Sequence, residues 1–260
     1  MKIVSCKEPI LHNPFLISGL PGVGYVAKLL ADYLREQLNA QLFEEVYSPS
    51  FPPFVLIKED GTVDLLRNEF YFWKNESSLG NDLIIFTGNA QAGSPEGQFE
   101  IVDEVLRVAE KFSVSKIFSL AAYVKDERVD KPKVFGAVTE PGLIEYVKSF
   151  GVSMMDGGSI SGTNGLLFGH AKTKNISSIC LLGETMAFAT PSGKQVVDAK
   201  AAKAVLEVLI KMLNIEVNMV PLEEQAKQTE ELLHKIDDMA RHAVEEMRKA
   251  AEREVPKYYV

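Results

Sequence analysis

Four short apolar runs alternate with segments of helical periodicity along most of the chain. The runs are typical of strands buried on both faces and lie at residues 14–19, 82–88, 116–122 and 176–182. Apolar residues recur at helical spacing at residues 23–38, 95–111, 139–150 and 194–213. Because buried strands joined by helices form crossover units, the sequence predicts an α/β fold with a mostly parallel sheet flanked by helices.

Weaker strand patterns follow the first predicted helix. They lie at residues 41–47, 54–58 and 63–73. Residues 48–53, Ser-Pro-Ser-Phe-Pro-Pro, predict a turn or an extended segment, since proline cannot donate to a strand ladder. The glycine-rich residues 157–165 are predicted to be a loop.

Composition and net charge disfavour several classes of protein for this chain. The chain has 260 residues, 46% hydrophobic content and a formal charge of −8, which disfavours a large nucleic-acid or anionic-membrane surface. No apolar run is long enough to span a bilayer, and the first residues lack a signal-peptide pattern. Two cysteines in a chain of this length do not suggest a disulfide framework. We therefore expect a cytoplasmic protein with no nucleic-acid or membrane partner.

The loop after the first buried strand is the strongest candidate for a ligand site. Residues 19–24, Gly-Leu-Pro-Gly-Val-Gly, have P-loop spacing, but Tyr25 and Val26 replace the lysine and hydroxyl residue that triphosphate binding needs. Gly22, Gly24 and Ala27 fit the dinucleotide pattern G-x-G-x-x-A. An acidic residue for the ribose would then be Glu44 or Glu45. The alternative is a structural strand-to-helix turn, which we favour.

Other reactive residues form weaker patterns. Ser159 stands in the second glycine-rich loop without the final glycine of a nucleophile elbow, and no carboxylate partner is evident for His12 or His170. Cys180 lies in an apolar run, so we predict that it is a small buried hydrophobic residue rather than a nucleophile. We assign no catalytic residue and no cofactor.

A polar helix is predicted after Pro221. Its apolar and small residues follow a heptad spacing, which fits either self-association or packing on the chain's own core; they are Leu222, Ala226, Thr229, Leu233, Ile236, Ala240, Ala243, Met247 and Ala250. On the same helix, His234, Asp238 and His242 share one face. We interpret this column as a solvated polar face rather than a metal site.

The chain ends in a short tail beyond the helix. Pro256 disfavours continuing the helix, and Tyr258, Tyr259 and Val260 follow it. Two aromatic rings beside a free carboxylate suit capture by a pocket with a basic residue at its base. The predicted organisation is a core domain over residues 1–220, a C-terminal amphipathic helix over 221–254 and a flexible docking tail over 255–260.

Five stretches of the sequence resemble the proteasome assembly chaperone 2 family, most closely its archaeal branch. They are the opening Gly-Leu-Pro-Gly-Val-Gly-Tyr-Val-Ala-Lys-Leu-Leu-Ala-Asp-Tyr-Leu at 19–34, Gly-Asn-Ala-Gln-Ala-Gly at 88–93, Gly-Ser-Ile-Ser-Gly-Thr-Asn-Gly-Leu-Leu at 158–167, Cys-Leu-Leu-Gly-Glu-Thr at 180–185 and Val-Asp-Ala-Lys-Ala-Ala-Lys-Ala-Val-Leu at 197–206. The resemblance covers nearly all of residues 10–220, and the five stretches occur in the expected order.

The resemblance implies a function in binding rather than catalysis. It implies a nucleoside-phosphorylase-like architecture, often oligomeric, with no catalytic residues to carry over. The resemblance also implies a docking tail, because family members that end in a hydrophobic residue, a tyrosine and any residue dock on the α-subunits of the core proteasome. In this chain Tyr258, Tyr259 and Val260 would occupy those three terminal positions. We therefore expect a homo-oligomeric proteasome assembly chaperone or activator. The competing hypothesis is an enzyme that binds a nucleotide or dinucleotide at the Gly19–Ala27 loop.

Overall fold

A computed structural model describes residues 1–77, 80–127, 129–186 and 196–253 of the chain. The strands in chain order are β1 (Lys2–Ser5), β2 (Phe15–Ser18), β3 (Gln41–Tyr47), β4 (Val55–Ile57), β5 (Val63–Leu65), β6 (Asn68–Trp73), β7 (Leu83–Gly88), β8 (Lys116–Lys125), β9 (Val134–Val138), β10 (Ser153–Met154) and β11 (Ser178–Met186). The helices are α1 (Val26–Gln37), α2 (Pro95–Lys111), α3 (Ile144–Lys148), α4 (Gly162–Thr173), α5 (Ala199–Leu213) and α6 (Val220–Arg253), with 3-10 turns at Val23–Tyr25 and Pro141–Leu143.

A nine-stranded sheet forms the centre of the molecule, in the order β1-β3-β6-β7-β2-β8-β11-β9-β10. The four middle strands, β7, β2, β8 and β11, run parallel. Antiparallel pairs extend the sheet through β6, β3 and β1 on one side and through β9 on the other. This arrangement confirms the predicted α/β fold and places the four predicted buried strands together at the parallel centre.

Helices cover both faces of the sheet. On one face, α1, α5 and the start of α6 pack with the sheet in a single hydrophobic cluster, which includes Leu30, Leu206 and Leu222. On the other face, α2 and α4 contribute Val105 and Leu167 to a second cluster. Because both faces of the middle strands are buried, nearly every residue in them is apolar, and they form continuous apolar runs in the sequence.

Some local predictions differ from the structure. Residues 63–73 do not form one strand, since β5 pairs with β4 in a separate hairpin while β6 joins the main sheet. The predicted loop at 157–165 is interrupted at Gly162, where α4 begins. Strands β1, β9 and β10 were not predicted. Among the described residues, none of the helices is long and apolar enough to cross a membrane.

Candidate functional site

The two glycine-rich loops meet at one cleft of about 490 Å³. It lies at the carboxyl ends of β2, β8 and β11, the position where open parallel sheets commonly bind ligands. Each loop is recognisable in the sequence by itself, but their meeting at one cleft was not predicted. Both loops and the strand ends line the cleft, through Gly22, Val23, Ala27, Gln91, Ala121, Ala122, Tyr123, Val124, Met155, Gly157, Gly158, Ser159, Ile160, Ser161, Gly162, Asn164 and Leu182.

The first loop is held against the start of α5. The backbone amide of Asp198 donates a hydrogen bond to the carbonyl oxygen of Gly24 at 2.8 Å. The Asp198 carboxylate accepts hydrogen bonds from the Thr185 hydroxyl at 2.6 Å and from the Ala201 amide at 2.9 Å, so it also caps the helix. The loop is therefore fixed by buried contacts with its own fold.

Two amide side chains join the first loop to the second. Gln91 donates a hydrogen bond to the Pro21 carbonyl and accepts one from the Thr163 amide at 2.8 Å. The Asn164 side chain accepts from the Leu20 amide at 3.3 Å and donates to the Leu20 carbonyl at 3.4 Å. Sequence reasoning assigned no role to either residue, although both stand in the stretches that carried the family resemblance.

The described lining of the cleft offers no charged side chain to a dinucleotide phosphate. Among the described residues that line it, none carries a formal charge. The side chains are apolar, such as Tyr123, Met155 and Leu182, or neutral and polar, such as Gln91 and Ser159. Of the described lining groups, only backbone amides and neutral side chains could donate hydrogen bonds to a pyrophosphate.

Glu44 and Glu45, the proposed ribose contacts, do not lie at the cleft. Their strand, β3, is separated from β2 by β6 and β7, whereas a dinucleotide fold places the corresponding strand beside the first. Glu44 is buried and accepts a hydrogen bond from Arg107 at 2.8 Å, and Glu45 pairs with Arg67 at 3.0 Å. Burial raises the pKa of Glu44, and the Arg107 charge opposes that shift. Both carboxylates belong to ion pairs away from the loop.

The candidate nucleophiles and bases do not form a catalytic group. Ser159 is exposed at the cleft, but His12 precedes the amino end of β2, at the opposite edge of the sheet. His170 lies eight residues after Gly162, about 12 Å along α4, and packs edge-on against Phe99 at 5.1 Å between ring centroids. Cys180 is fully buried, and burial raises its pKa to about 12, so its thiol stays protonated at neutral pH.

The column on α6 is exposed to solvent. His234, Asp238 and His242 are all exposed, and Asp238 forms an ion pair with Arg241 at 3.8 Å. In the part of the chain that the structure describes, no group of three potential ligands is arranged to hold a metal ion.

The C-terminal helix runs antiparallel to α5. Lys203 contacts Glu223 at 3.2 Å, and Lys200, one residue into α5 from its start, contacts Glu230 at 3.0 Å. Leu222 and Ala226 are buried in the core, so the first part of the heptad seam packs on the chain's own domain. Tyr258, Tyr259 and Val260 lie outside the described residues.

Comparisons with known proteins identify a family. The sequence model of the PAC2 family matches residues 16–237 of this chain. This match agrees with the resemblance drawn from the motifs. An uncharacterised protein of Methanocaldococcus jannaschii is 36% identical over 261 residues, covering 98% of this chain and 95% of that protein.

Two solved structures from Pyrococcus furiosus are similar over nearly the whole chain. PbaB, described as an archaeal proteasome activator, is 40% identical with a TM-score of 0.83, covering 91% of this chain and 98% of PbaB. PbaA, described as an archaeal homologue of proteasome-assembly chaperone, is 30% identical with a TM-score of 0.72, covering 98% of this chain and 99% of PbaA.

Proposed function

This chain belongs to the PAC2 family, and from that premise we propose that it binds the α-ring of the core proteasome through Tyr258, Tyr259 and Val260. It is a homologue of an archaeal proteasome activator and of an archaeal proteasome-assembly chaperone homologue. The observation that carries the proposal is the 40% identity to the activator PbaB, extending over 91% of this chain.

The course of α6 supports the proposed role of the tail. Helix α5 begins after β11, at the same edge of the sheet as the cleft, since the Asp198 amide contacts the Gly24 loop there. Glu230 of α6 is level with Lys200 near that start. Because the two helices are antiparallel, residues 231–253 continue beyond the start of α5, over a helical length of about 35 Å. The described part of α6 therefore ends, at Arg253, well beyond the start of α5.

The chemistry of the tail suits a pocket that has both an apolar surface and a basic group. The rings of Tyr258 and Tyr259 offer large contact areas with few rotatable bonds, and the carboxylate of Val260 offers a charge for a basic group. Three residues bury little area, so one tail should bind with a dissociation constant between roughly millimolar and tens of micromolar. Several tails on one oligomer would bind a ring of repeated pockets about 10²–10⁴ times more tightly.

We propose the three-part organisation of the chain that its sequence predicts. Residues 1–220 form the core domain, residues 221–254 form a helix that packs its base on that domain and carries the tail, and residues 255–260 dock. We further propose that the protein acts in the cytoplasm as a homo-oligomer, without enzymatic activity or a cofactor. The neutral lining of the cleft, and the position of Glu44 and Glu45 away from it, give no support to the nucleotide-dependent enzyme.

A retention experiment tests this function. Intact protein and a variant ending at Lys257 are passed over immobilised archaeal core proteasome, and retention should require residues 258–260. A second assay separates the two activities within the family. Faster peptide hydrolysis by preformed core particles would indicate an activator, whereas faster appearance of core particles from α- and β-subunits would indicate an assembly factor. Equal retention of both variants would refute docking through the tail.

A further inference from the structure

Two glutamate side chains are buried together between β3 and α2. Glu44 of β3 and Glu104 of α2 each have a side chain that is only 5% exposed. The Nη2 atom of Arg107 donates hydrogen bonds to Glu44 Oε1 at 2.8 Å and to Glu104 Oε1 at 2.5 Å, so the two carboxyl groups meet at one guanidinium. The Nε atom of Arg107 also donates to Glu104, at 2.8 Å. We call Glu44 and Glu104 the carboxyl pair.

A bulge in β3 turns Glu44 towards α2. The register with β6 shifts between Leu42 and Glu44, so Phe43 is an extra residue in the strand. Phe43 packs in the hydrophobic cluster that includes α2, and Glu44, the next residue, contacts α2 as well. In a regular strand, two successive side chains would point to opposite faces of the sheet. The bulge therefore accounts for the burial of a carboxyl group beside α2.

The groups that contact the carboxyl pair supply a single positive charge. Arg107 carries that charge, and its side chain is 44% exposed. From β1, the neutral hydroxyl of Ser5 donates a hydrogen bond to Glu44 Oε2 at 3.2 Å. From β6, the residue opposite Glu44 in the register is Phe70, which carries no charge. The two neighbouring strands therefore add no compensating cation.

The other charged residues on this part of α2 lie outside the pair. Lys111, one helical turn after Arg107, forms an ion pair with Glu8 at 2.8 Å. Glu100 and Asp103, which precede the second member of the pair on α2, are exposed to solvent. Among the described residues, no cation besides Arg107 forms an ion pair with either carboxyl group of the pair.

One guanidinium cannot neutralise two ionised carboxylates. Arginine keeps its proton in proteins, so its charge is fixed while those of the glutamates can change. A buried negative charge without a partner costs free energy, and two carboxyl groups that share a site respond by retaining one proton between them. We propose that Glu44 and Glu104 share one proton and so make the attachment of β3 to α2 sensitive to pH. When the proton is bound, the pair and Arg107 are neutral together; when it is lost, a net negative charge lies buried between strand and helix.

The direction of the effect on stability follows from the raised pKa of Glu44. Burial raises this pKa, the charge of Arg107 opposes the shift, and contact with Glu104 adds to it. The folded protein therefore holds a proton at pH values where the unfolded chain has already released it. The stabilisation by this proton is complete below the ordinary pKa of a glutamate and is lost as the pH rises through the raised pKa. Over that interval, the unfolding equilibrium constant increases by up to about tenfold per pH unit.

Urea denaturation of the full-length protein between roughly pH 5 and pH 8.5 tests the proposal. Glu44→Gln supplies a permanently neutral group of similar shape that still accepts a hydrogen bond from Arg107. The ratio of the parent's unfolding equilibrium constant to that of the variant should therefore rise at least about threefold across this range. Glu45→Gln is the matched control, because Glu45 is the next residue of β3 and pairs with Arg67 instead. Its unfolding should follow the pH dependence of the parent.

Carbon-13 NMR of the unsubstituted protein tests the proposal even where Glu44→Gln fails to fold. With the glutamate carboxyl carbons labelled, at least one resonance of the folded protein should still titrate at pH values where exposed glutamates are fully ionised. Neither measurement involves residues 258–260, so the result is independent of docking through the tail. Parallel pH dependence of unfolding in the parent and in Glu44→Gln would overturn the proposal. So would a folded parent in which every glutamate carboxyl finishes titrating in the range of exposed glutamates.

Discussion

A Cβ atom placed on Gly24 would lie 3.2 Å from the hydroxyl oxygen of Thr185. Gly24 also has a φ of +61°, a conformation that costs most other residues free energy. Gly22, two residues earlier, has an extended backbone, and the nearest atom to a Cβ there is 4.0 Å away. Only one of the two glycines in the dinucleotide-like pattern is thus required by the turn itself.

We therefore predict that the two glycines differ in their tolerance of alanine. Gly24→Ala should lower the free energy of unfolding by about 1–2 kcal/mol, because it combines a left-handed backbone with close contacts. Gly22→Ala should change it by less than about 0.5 kcal/mol. Urea denaturation of both variants measures the difference. Equal losses would mean that the structural account of the loop is wrong.

Nucleotide binding gives a second prediction about the same loop. NAD, FAD and ATP should bind no tighter than millimolar, because the cleft has no described charged lining and Glu44 is held by Arg107. Isothermal titration calorimetry measures this directly. A micromolar dissociation constant that Gly22→Ala abolishes would instead support the nucleotide-dependent enzyme.

The sequence predicts the parallel centre of the fold better than its surroundings. The apolar runs of β2, β7, β8 and β11 are continuous because both faces of these strands are buried. Helix α4 was missed because glycines lower helix propensity by about 1 kcal/mol each. Gly165 nevertheless stands in α4 because a Cβ there would lie 2.1 Å from the Ile160 carbonyl oxygen.

At the candidate site, the order of the strands in the sheet was the main feature that could not be predicted from the sequence. Spacing along the chain placed Glu44 and Glu45 where a dinucleotide fold has its acidic residue, but the insertion of β6 and β7 beside β2 moves β3 away. Such non-local order leaves no signal in one sequence. Gln91 and Asn164 were missed for the same reason, since their contacts join segments about 70 and 144 positions apart along the chain.

The base of α6 should contribute to the stability of the core. Leu222 is fully buried in the cluster with α1 and α5, so Leu222→Ala should destabilise the protein by about 2–5 kcal/mol. Leu232, on the same helix, is 44% exposed, and Leu232→Ala should cost less than about 1 kcal/mol. Urea denaturation compares the two. If both changes were neutral, α6 would be a free arm rather than part of the core.

The two cysteines should differ sharply in reactivity. Cys6 is exposed, whereas burial raises the pKa of the Cys180 thiol to about 12. Because a thiol reacts as its thiolate, Cys180 should remain unmodified at pH 8 while Cys6 reacts. Titration with Ellman's reagent should find one reactive thiol in the native protein and two in guanidinium chloride. Reaction of Cys180 in the native state would mean that β11 is accessible to solvent.

Retention on the core proteasome tests the proposed docking most directly when the side chain and the carboxylate of the tail are changed separately. Tyr259→Ala removes an aromatic ring, and a glycine added after Val260 moves the carboxylate while keeping every side chain. Surface plasmon resonance on immobilised core particles should show that both changes nearly abolish binding, while Lys257→Ala leaves most of it. If both variants bind as tightly as the parent, the tail is not the docking element.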